Sequence, residues 1–286
     1  VAIRPGRGGG DALAFIEAVL PRRTSLSRRA AGMQEAEQVL AANVDVVFLV
    51  GGLDHDFNPR RMERALVLVW QGGARPVVLL NKLDLCADVA ARCREMEGVS
   101  LGVPVHAISA LAGLGLEAVG AHLGRGTTAV MIGSSGAGKS TLANRLLGEV
   151  RQQTLAVRQH DSRGRHATTH RELFLLPGGG VLIDTPGLRE LQLWAPETAL
   201  DQVFSDVEEL KRSCRFADCR HAGEPGCAVA QAVASGTLDP GRLASYQKLQ
   251  RELRHHRARL DVLARQEERR QWRSIHRMAR RHRPRE

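Results

Sequence analysis

Three features of this 286-residue sequence predict a three-layer α/β sandwich with a smaller metal-bound α-helical domain behind it. Short, almost wholly apolar runs alternate with helix-length segments, the pattern of a mostly parallel sheet covered on both faces. A glycine-rich loop ending in Lys-Ser lies between one such run and a helix. After about residue 195 the strand runs stop, and three cysteines and a histidine crowd together ahead of a long basic segment.

Residues 1–35 are rich in Arg and Gly and hold one strand candidate, Ala14–Leu20. Asp45–Val50 (DVVFLV) is the first buried strand. Asn58-Pro59 then opens a helix, with Asn as cap and Pro in the first turn. Pro76–Leu80 (PVVLL), Val103–Ile108 and Thr128–Ile132 (TAVMI) continue the sheet, with helices at 86–97, 114–123 and 139–147. Arg171–Leu176 and Val181–Asp184 flank Gly178-Gly179-Gly180 and read as a hairpin. Beyond it, Leu200, Val203, Phe204, Val207 and Leu210 recur at helical spacing, and a short Ala/Val helix follows the cysteine cluster. Tyr246, Leu249, Leu253, Leu260 and Leu263 form one apolar seam, read as a helix packing on its own domain.

An apolar content of 43% is that of a globular chain. No apolar run reaches the ~18 residues of a membrane span, and the start (VAIRPGRGGG) has no signal-peptide stretch, so a cytoplasmic protein is expected. The missing initiator Met suggests a processed or cut N-terminus. The net charge of +10 is concentrated at one end: residues 241–286 hold 15 Lys and Arg against 5 Asp and Glu. Such asymmetry suits a polyanion, nucleic acid before membrane, although a solvated helix face is the plainer reading. Five cysteines, an odd number, argue against a disulfide framework.

Gly133-Ser134-Ser135-Gly136-Ala137-Gly138-Lys139-Ser140, followed by Thr141, fits GxxxxGK[ST] between TAVMI and a helix. Glycines let backbone N–H groups curl around phosphate oxygens, Lys139 reaches the outer phosphates, and Ser140 ligates Mg²⁺. Asn81-Lys82-Leu83-Asp84 ends the strand PVVLL. A carboxylate there accepts from the N1–H and 2-amino edge of guanine, which adenine lacks. Alone this tetrapeptide is weak, since such residues also cap helices. Ser109-Ala110 after the next strand strengthens it, because a tight turn there presents N–H to the guanine O6. Asp184-Thr185-Pro186-Gly187 follows the strand VLI: Asp184 holds Mg²⁺ through water and the Gly187 N–H touches the terminal phosphate, with an ordinary strand-end turn as the alternative. Gly164–Thr169 (GRHATT) lies in the polar stretch between, where Thr168, or Thr169 beside it, completes the Mg²⁺ shell.

These elements are those of a GTPase, but in rotated order. The base-reading motifs at 81 and 109 precede the phosphate loop at 133, the Thr loop at 168 and DTPG at 184. The cycle is the usual one opened at a different point, and spatial neighbours survive such a circular permutation.

Cys214-x4-Cys219-x-His221-x5-Cys227 offers three thiolates and an imidazole, a complete tetrahedral set and the signature of a structural zinc site with no open position. Three buried cysteines near a chance His would not be this dense in a polar loop. Cys86 and Cys93, seven apart on a helix, are expected to be packing residues.

On IEAVLPRRTSLSRRAAG, AANVDVVFLV, VVLLNKLDL, IGSSGAGKSTLANRLLG, GRHATTHRELF, LIDTPGLREL and CRFADCRHAGEPGCAV, the sequence resembles the circularly permuted small-ribosomal-subunit biogenesis GTPases, the RsgA/YjeQ family. That resemblance implies an N-terminal OB-fold, a permuted GTPase domain, a C-terminal zinc domain on the same four ligands, and action in late assembly of the 30S subunit. About 35 N-terminal residues do not build a five-stranded barrel, so residues 1–35 read as an OB-fold remnant, 36–192 as the GTPase domain, and 193–286 as the zinc-binding domain with its basic tail. GTP and GDP, the small subunit and its rRNA are the expected partners of a monomer without membrane attachment.

Leu188 stands where many GTPases place a water-orienting Gln. His166 is the nearest substitute in sequence, and a loop His touching RNA, or nothing, is an equal alternative. Catalysis is therefore assigned to Lys139, Thr168, Asp184 and Gly187 with His166. Two other readings stay open: a GTP-binding RNA scaffold with negligible turnover, and a P-loop ATPase or kinase in which NKLD is incidental.

Overall fold

The computed structural model describes residues 2–4, 15–29, 37–149, 172–184, 197–255, 257, 258 and 262. Its centre is a six-stranded sheet. The strands are β5 (Val46–Gly52), β6 (Arg75–Asn81), β7 (Val105–Ala107), β8 (Thr128–Gly133), β9 (Glu172–Leu175) and β10 (Val181–Asp184), in spatial order β7-β6-β5-β8-β10-β9. Five run parallel, and β9 lies antiparallel on β10 as the expected hairpin. β5 and β8 pair side by side although about 80 residues separate them in the chain, with Phe48 opposite Met131.

Alternation along the strands sorts the core into two faces. Val47, Leu49, Val78, Leu80, Val130 and Ile132 pack on one side; Val46, Phe48, Val50, Val77, Leu79 and Met131 pack on the other. The first face is covered by α1 (Pro59–Gly72) and α2 (Val89–Val99), the second by α3 (Leu116–Gly120) and α4 (Lys139–Leu147). The three layers are as expected. Helix α1 starts where the sequence placed it: the Asn58 side chain accepts from the Arg61 N–H at 3.0 Å, with Pro59 in the first turn. It ends at Gly73, left-handed at φ 74, a position where a Cβ would be strained. Its run Ala65–Val69 is wholly buried, because the sheet and later helices enclose it from more than one side.

Helix α2 begins three residues later than expected, at Val89 with Asp88 as cap, because Leu83–Leu85 forms a separate 3-10 turn. The single helix expected around 200–210 is two, α5 (Glu197–Val203) and α6 (Ser205–Arg212), meeting at Phe204. α7 (Ala228–Ala234) and a helix α8 (residues 240–255) complete this part. Tyr246, Leu249 and Leu253 of the apolar seam are buried, while Leu260 and Leu263 lie outside the described residues. Their core is continuous with the α1 face of the sheet, where Leu200, Phe204, Val207, Val229 and Tyr246 join Leu66 and Leu68 in one cluster.

N-terminally, β1 (Ala2–Arg4) pairs with β2 (Phe15–Ala18), and β3 (Ser25–Arg29) pairs with β4 (Glu37–Ala42), both antiparallel. The second hairpin straddles the boundary expected at residue 35, and its Leu26, Leu40 and Ala41 are buried in the α1 cluster.

Candidate nucleotide site and metal centre

Parallel strands deliver their C-terminal ends to one edge of a sheet, where open α/β folds build their sites. Asn81 ends β6, Gly133 ends β8, Asp184 ends β10, and Ser109-Ala110 follows β7. All four motif groups, scattered over more than a hundred residues, therefore reach the same edge.

The loop from β8 to α4 has the geometry of a phosphate cradle. Gly136 and Gly138 are left-handed, at φ 83 and 92. Gly133 is packed so closely that a Cβ would lie 2.1 Å from the Val50 carbonyl oxygen. Lys139 folds back over the loop, its Nζ donating to the Gly133 and Ser134 carbonyls at 2.9 and 2.7 Å. Gly138 caps α4 without a side-chain bond, and the first turn carries no acid. The N–H groups and positive end of the helix are thus directed at an incoming anion. Ser135, Ser140 and Thr141 are half-buried on the same loop and first turn.

Asn81 is a strut between two loops of the site. It is buried at 3% exposure, its Nδ2 donates to the Ala137 carbonyl at 2.8 Å, and its Oδ1 accepts the Ala110 N–H at 2.9 Å. One side chain thereby ties the phosphate loop to the Ser109-Ala110 turn. A Cβ on Gly138 would sit 2.2 Å from this Nδ2, a second reason for glycine there. In the turn expected to present N–H to guanine O6, the Ala110 N–H bonds Asn81 and the Ser109 N–H bonds the Leu114 carbonyl at 3.0 Å. Arg145 of α4 holds the same turn, donating to the Ala110 and Leu111 carbonyls at 3.1 and 2.6 Å. The sequence reading missed Arg145, since a helix-surface Arg carries no motif. Lys82 is left-handed at φ 67 and bonds Asp54 at 2.6 Å; half-buried Leu83 begins the 3-10 turn. Asp84, on that turn, is exposed and in no hydrogen bond or ion pair with a described residue. Thr168, His166, Gly187 and Leu188 lie outside the described residues.

The second site is compact. The ligand atoms of Cys214, Cys219, His221 and Cys227 all lie within 4.8 Å of one another. His221 Nδ1 is 3.7 and 3.5 Å from the Cys214 and Cys227 sulfurs, which are 4.0 Å apart. Zn–S bonds of about 2.3 Å and Zn–N bonds of about 2.0 Å in a tetrahedron need edges of roughly 3.5–3.8 Å, so the donor set fits zinc. Cys227 caps α7, its sulfur accepting the Ala230 N–H at 3.3 Å. Glu224 braces the loop: its carboxylate accepts the Arg220 and Ala222 N–H groups at 3.0 and 2.7 Å, and backbone N–H bonds of this kind pull its pKa down to about 2. Cys86 and Cys93 pack against the core as expected.

Fold and sites together define a guanine-nucleotide P-loop hydrolase of permuted motif order with a Cys3His centre behind it. The RsgA GTPase family matches residues 19–194, and the chain belongs to that family. It is 52% identical over 281 residues to the small ribosomal subunit biogenesis GTPase RsgA of Opitutus terrae, covering 96% of this chain and 77% of that protein. Among solved structures it is similar to YjeQ from Thermotoga maritima, with a TM-score of 0.61 and 30% identity over 84% of this chain and 78% of the other. It is also similar to YloQ, a circularly permuted GTPase, with a TM-score of 0.61 and 27% identity over 87% and 78%.

Proposed function

We propose that this chain hydrolyses GTP to GDP and phosphate in the maturation of the small ribosomal subunit, binding its rRNA through the basic C-terminal segment. The carrying observation is the convergence of the phosphate loop, the Asp84 turn and Asp184 on one sheet edge. In this reading Lys139 neutralises the outer phosphates and the α4 N-terminus cradles them. Asp84 reads the guanine edge, while Asn81 and Arg145 hold the turn beside it. Ser140 and Thr168 would hold the Mg²⁺ that accompanies the nucleotide, with Asp184 behind them, and that ion would offset phosphate charge. Gly187 would donate its N–H to the terminal phosphate, and His166 would orient the attacking water, both on sequence grounds. Zinc on Cys214, Cys219, His221 and Cys227 would act as a cross-link only. Among the described residues no helix is long and apolar enough to cross a membrane, in keeping with a partner reached through charge.

The test is phosphate release from GTP and ATP, with and without purified 30S particles. The expectation is GTP-selective turnover that small subunits raise strongly. Equal use of ATP removes the guanine assignment, and turnover indifferent to small subunits removes the ribosomal one. Loss of the stimulation in His166→Ala, with GTP affinity kept, would place that imidazole in the mechanism; unchanged stimulation would exclude it.

A further inference from the structure

We propose that Asp54 and Asp56 are positioning residues for the nucleotide, two carboxylates that bracket the site and hold its base-reading turn and its phosphate loop in place. The inference rests on the guanine-nucleotide reading above and adds residues that belong to none of its motifs. Both lie in the loop from β5 to α1, at the sheet edge where the motifs converge.

Asp54 is 13% exposed and fully engaged. Its Oδ1 accepts the Asp56 N–H at 3.1 Å and its Oδ2 accepts the Lys82 ammonium at 2.6 Å. Burial by itself would push this carboxyl up. The Lys82 bond, the Asp56 N–H and the neighbouring positive charge outweigh burial and hold it below its ordinary value. Gly52 makes room for this fold-back, since a Cβ there would lie 2.3 Å from Asp54 Oδ1.

Lys82 is left-handed, a backbone conformation that costs a non-glycine residue free energy and is kept only where surroundings impose it. Three contacts hold it: the Leu53 N–H to the Asn81 carbonyl at 2.8 Å, the Leu83 N–H to the Ile108 carbonyl at 3.0 Å, and the Asp54–Lys82 pair, the side-chain contact among them. Lys82 is also the residue from which the Leu83–Leu85 turn departs, and that turn carries Asp84. Asp54 therefore aims the guanine acceptor through Lys82. Asp56 works on the other loop. One of its oxygens accepts the Ser134 hydroxyl and the other the Arg61 guanidinium. The Ser134 carbonyl is one of the two on which Lys139 rests. A displaced Asp56 would release the stretch of phosphate loop that fixes Lys139.

The experiment is titration of the full chain with fluorescent GDP, displaced by GDP or ADP, alongside thermal unfolding of each variant. Asp54→Ala should weaken GDP binding by about tenfold or more, the scale of one charge-assisted hydrogen bond, and narrow the preference for GDP over ADP. In a Lys82→Asn background the side chain tolerates the left-handed backbone and has no ammonium to anchor. There Asp54→Ala should change affinity by less than about twofold. Asp56→Ala and Ser134→Ala should each weaken GDP, and the double variant should be no worse than the poorer single one. If Asp54→Ala does not fold, Asp54→Asn makes the same comparison with shape kept and charge removed. A folded Asp54 variant with wild-type affinity, or losses that multiply in the two backgrounds, would overturn the bracket. Wild-type protein without preference for GDP over ADP would overturn the guanine reading itself, and the bracket with it.

Discussion

The two sites are built in opposite ways. The metal centre takes its four ligands from 14 consecutive residues and completes itself with a turn braced by Glu224 and the cap of α7. The nucleotide site takes its groups from five segments between Asp54 and Asp184, and no two of its loops are neighbours in the chain. A local cluster concentrates its free energy in one bound ion; an assembled one divides it among many modest contacts. The metal centre should thus fail all at once when a ligand is lost, and the nucleotide site by degrees.

The largest expected effect belongs to Cys219→Ser. Structural zinc contributes on the order of 10–16 kcal/mol of apparent binding energy in small zinc-dependent units. One zinc per chain should co-purify with the wild type and be lost in the variant, with α6, α7 and α8 melting while GDP binding survives. Elemental analysis, circular dichroism and GDP titration on the same samples decide it; a folded, metal-free wild type would erase the contrast between the sites.

Next comes the seam that joins the two regions. Arg242 of α8 is 3% exposed and donates to Glu63 of α1 at 2.8 Å, to both Asp206 oxygens at 2.8 Å, and to the Val99 and Val203 carbonyls. It also lies over the Phe204 ring at 4.5 Å. Glu63 has no exposure, and its second oxygen has no partner among the described residues. Removing the guanidinium leaves that buried carboxylate with Arg60 alone. Arg242→Ala should cost about 3–5 kcal/mol, read as a lowered denaturant midpoint, and Arg242→Lys should not restore it because the fork is lost. A cost below about 1 kcal/mol would mean that the two regions are joined by apolar packing alone.

Within the nucleotide site the effects shrink. Asn81→Ala leaves two buried backbone groups without their partner and should weaken GDP by about 1–3 kcal/mol with little change in zinc content. Asp84→Asn should weaken GTP by a similar ~1–3 kcal/mol but improve xanthosine triphosphate, because the amide supplies a donor opposite the xanthine oxygen. Competition binding separates the two, since only Asp84→Asn changes which base wins. The smallest and most salt-dependent effect is that of the tail. Deleting residues from Leu260 onward should flatten the dependence of 30S affinity on salt, each lost phosphate contact removing about 0.7–0.9 from the logarithmic slope. An unchanged slope would make the tail a solvated helix face.

Sequence alone determined the parts that chemistry ties to local spacing. The phosphate loop needs its glycines and Lys-Ser in one run, the zinc ligands need close spacing, and buried strands need unbroken apolar stretches, so each is legible in a short window. The motif order was legible too, and with it the permutation, because order is a property of the chain. Tertiary structure decided which groups meet. Nothing near residue 54 announces that its carboxylate anchors Lys82, or near 145 that its guanidinium holds the Ala110 turn. The sequence also could not divide the helix at Phe204, join α8 to α1 through Arg242, or carry the β3–β4 hairpin across residue 35 into the α1 core. Those contacts depend on the sheet order β7-β6-β5-β8-β10-β9, which sets β5 beside β8 across some 80 intervening residues. A pairing of that kind is fixed by complementary packing of whole layers, and no single stretch of sequence records it.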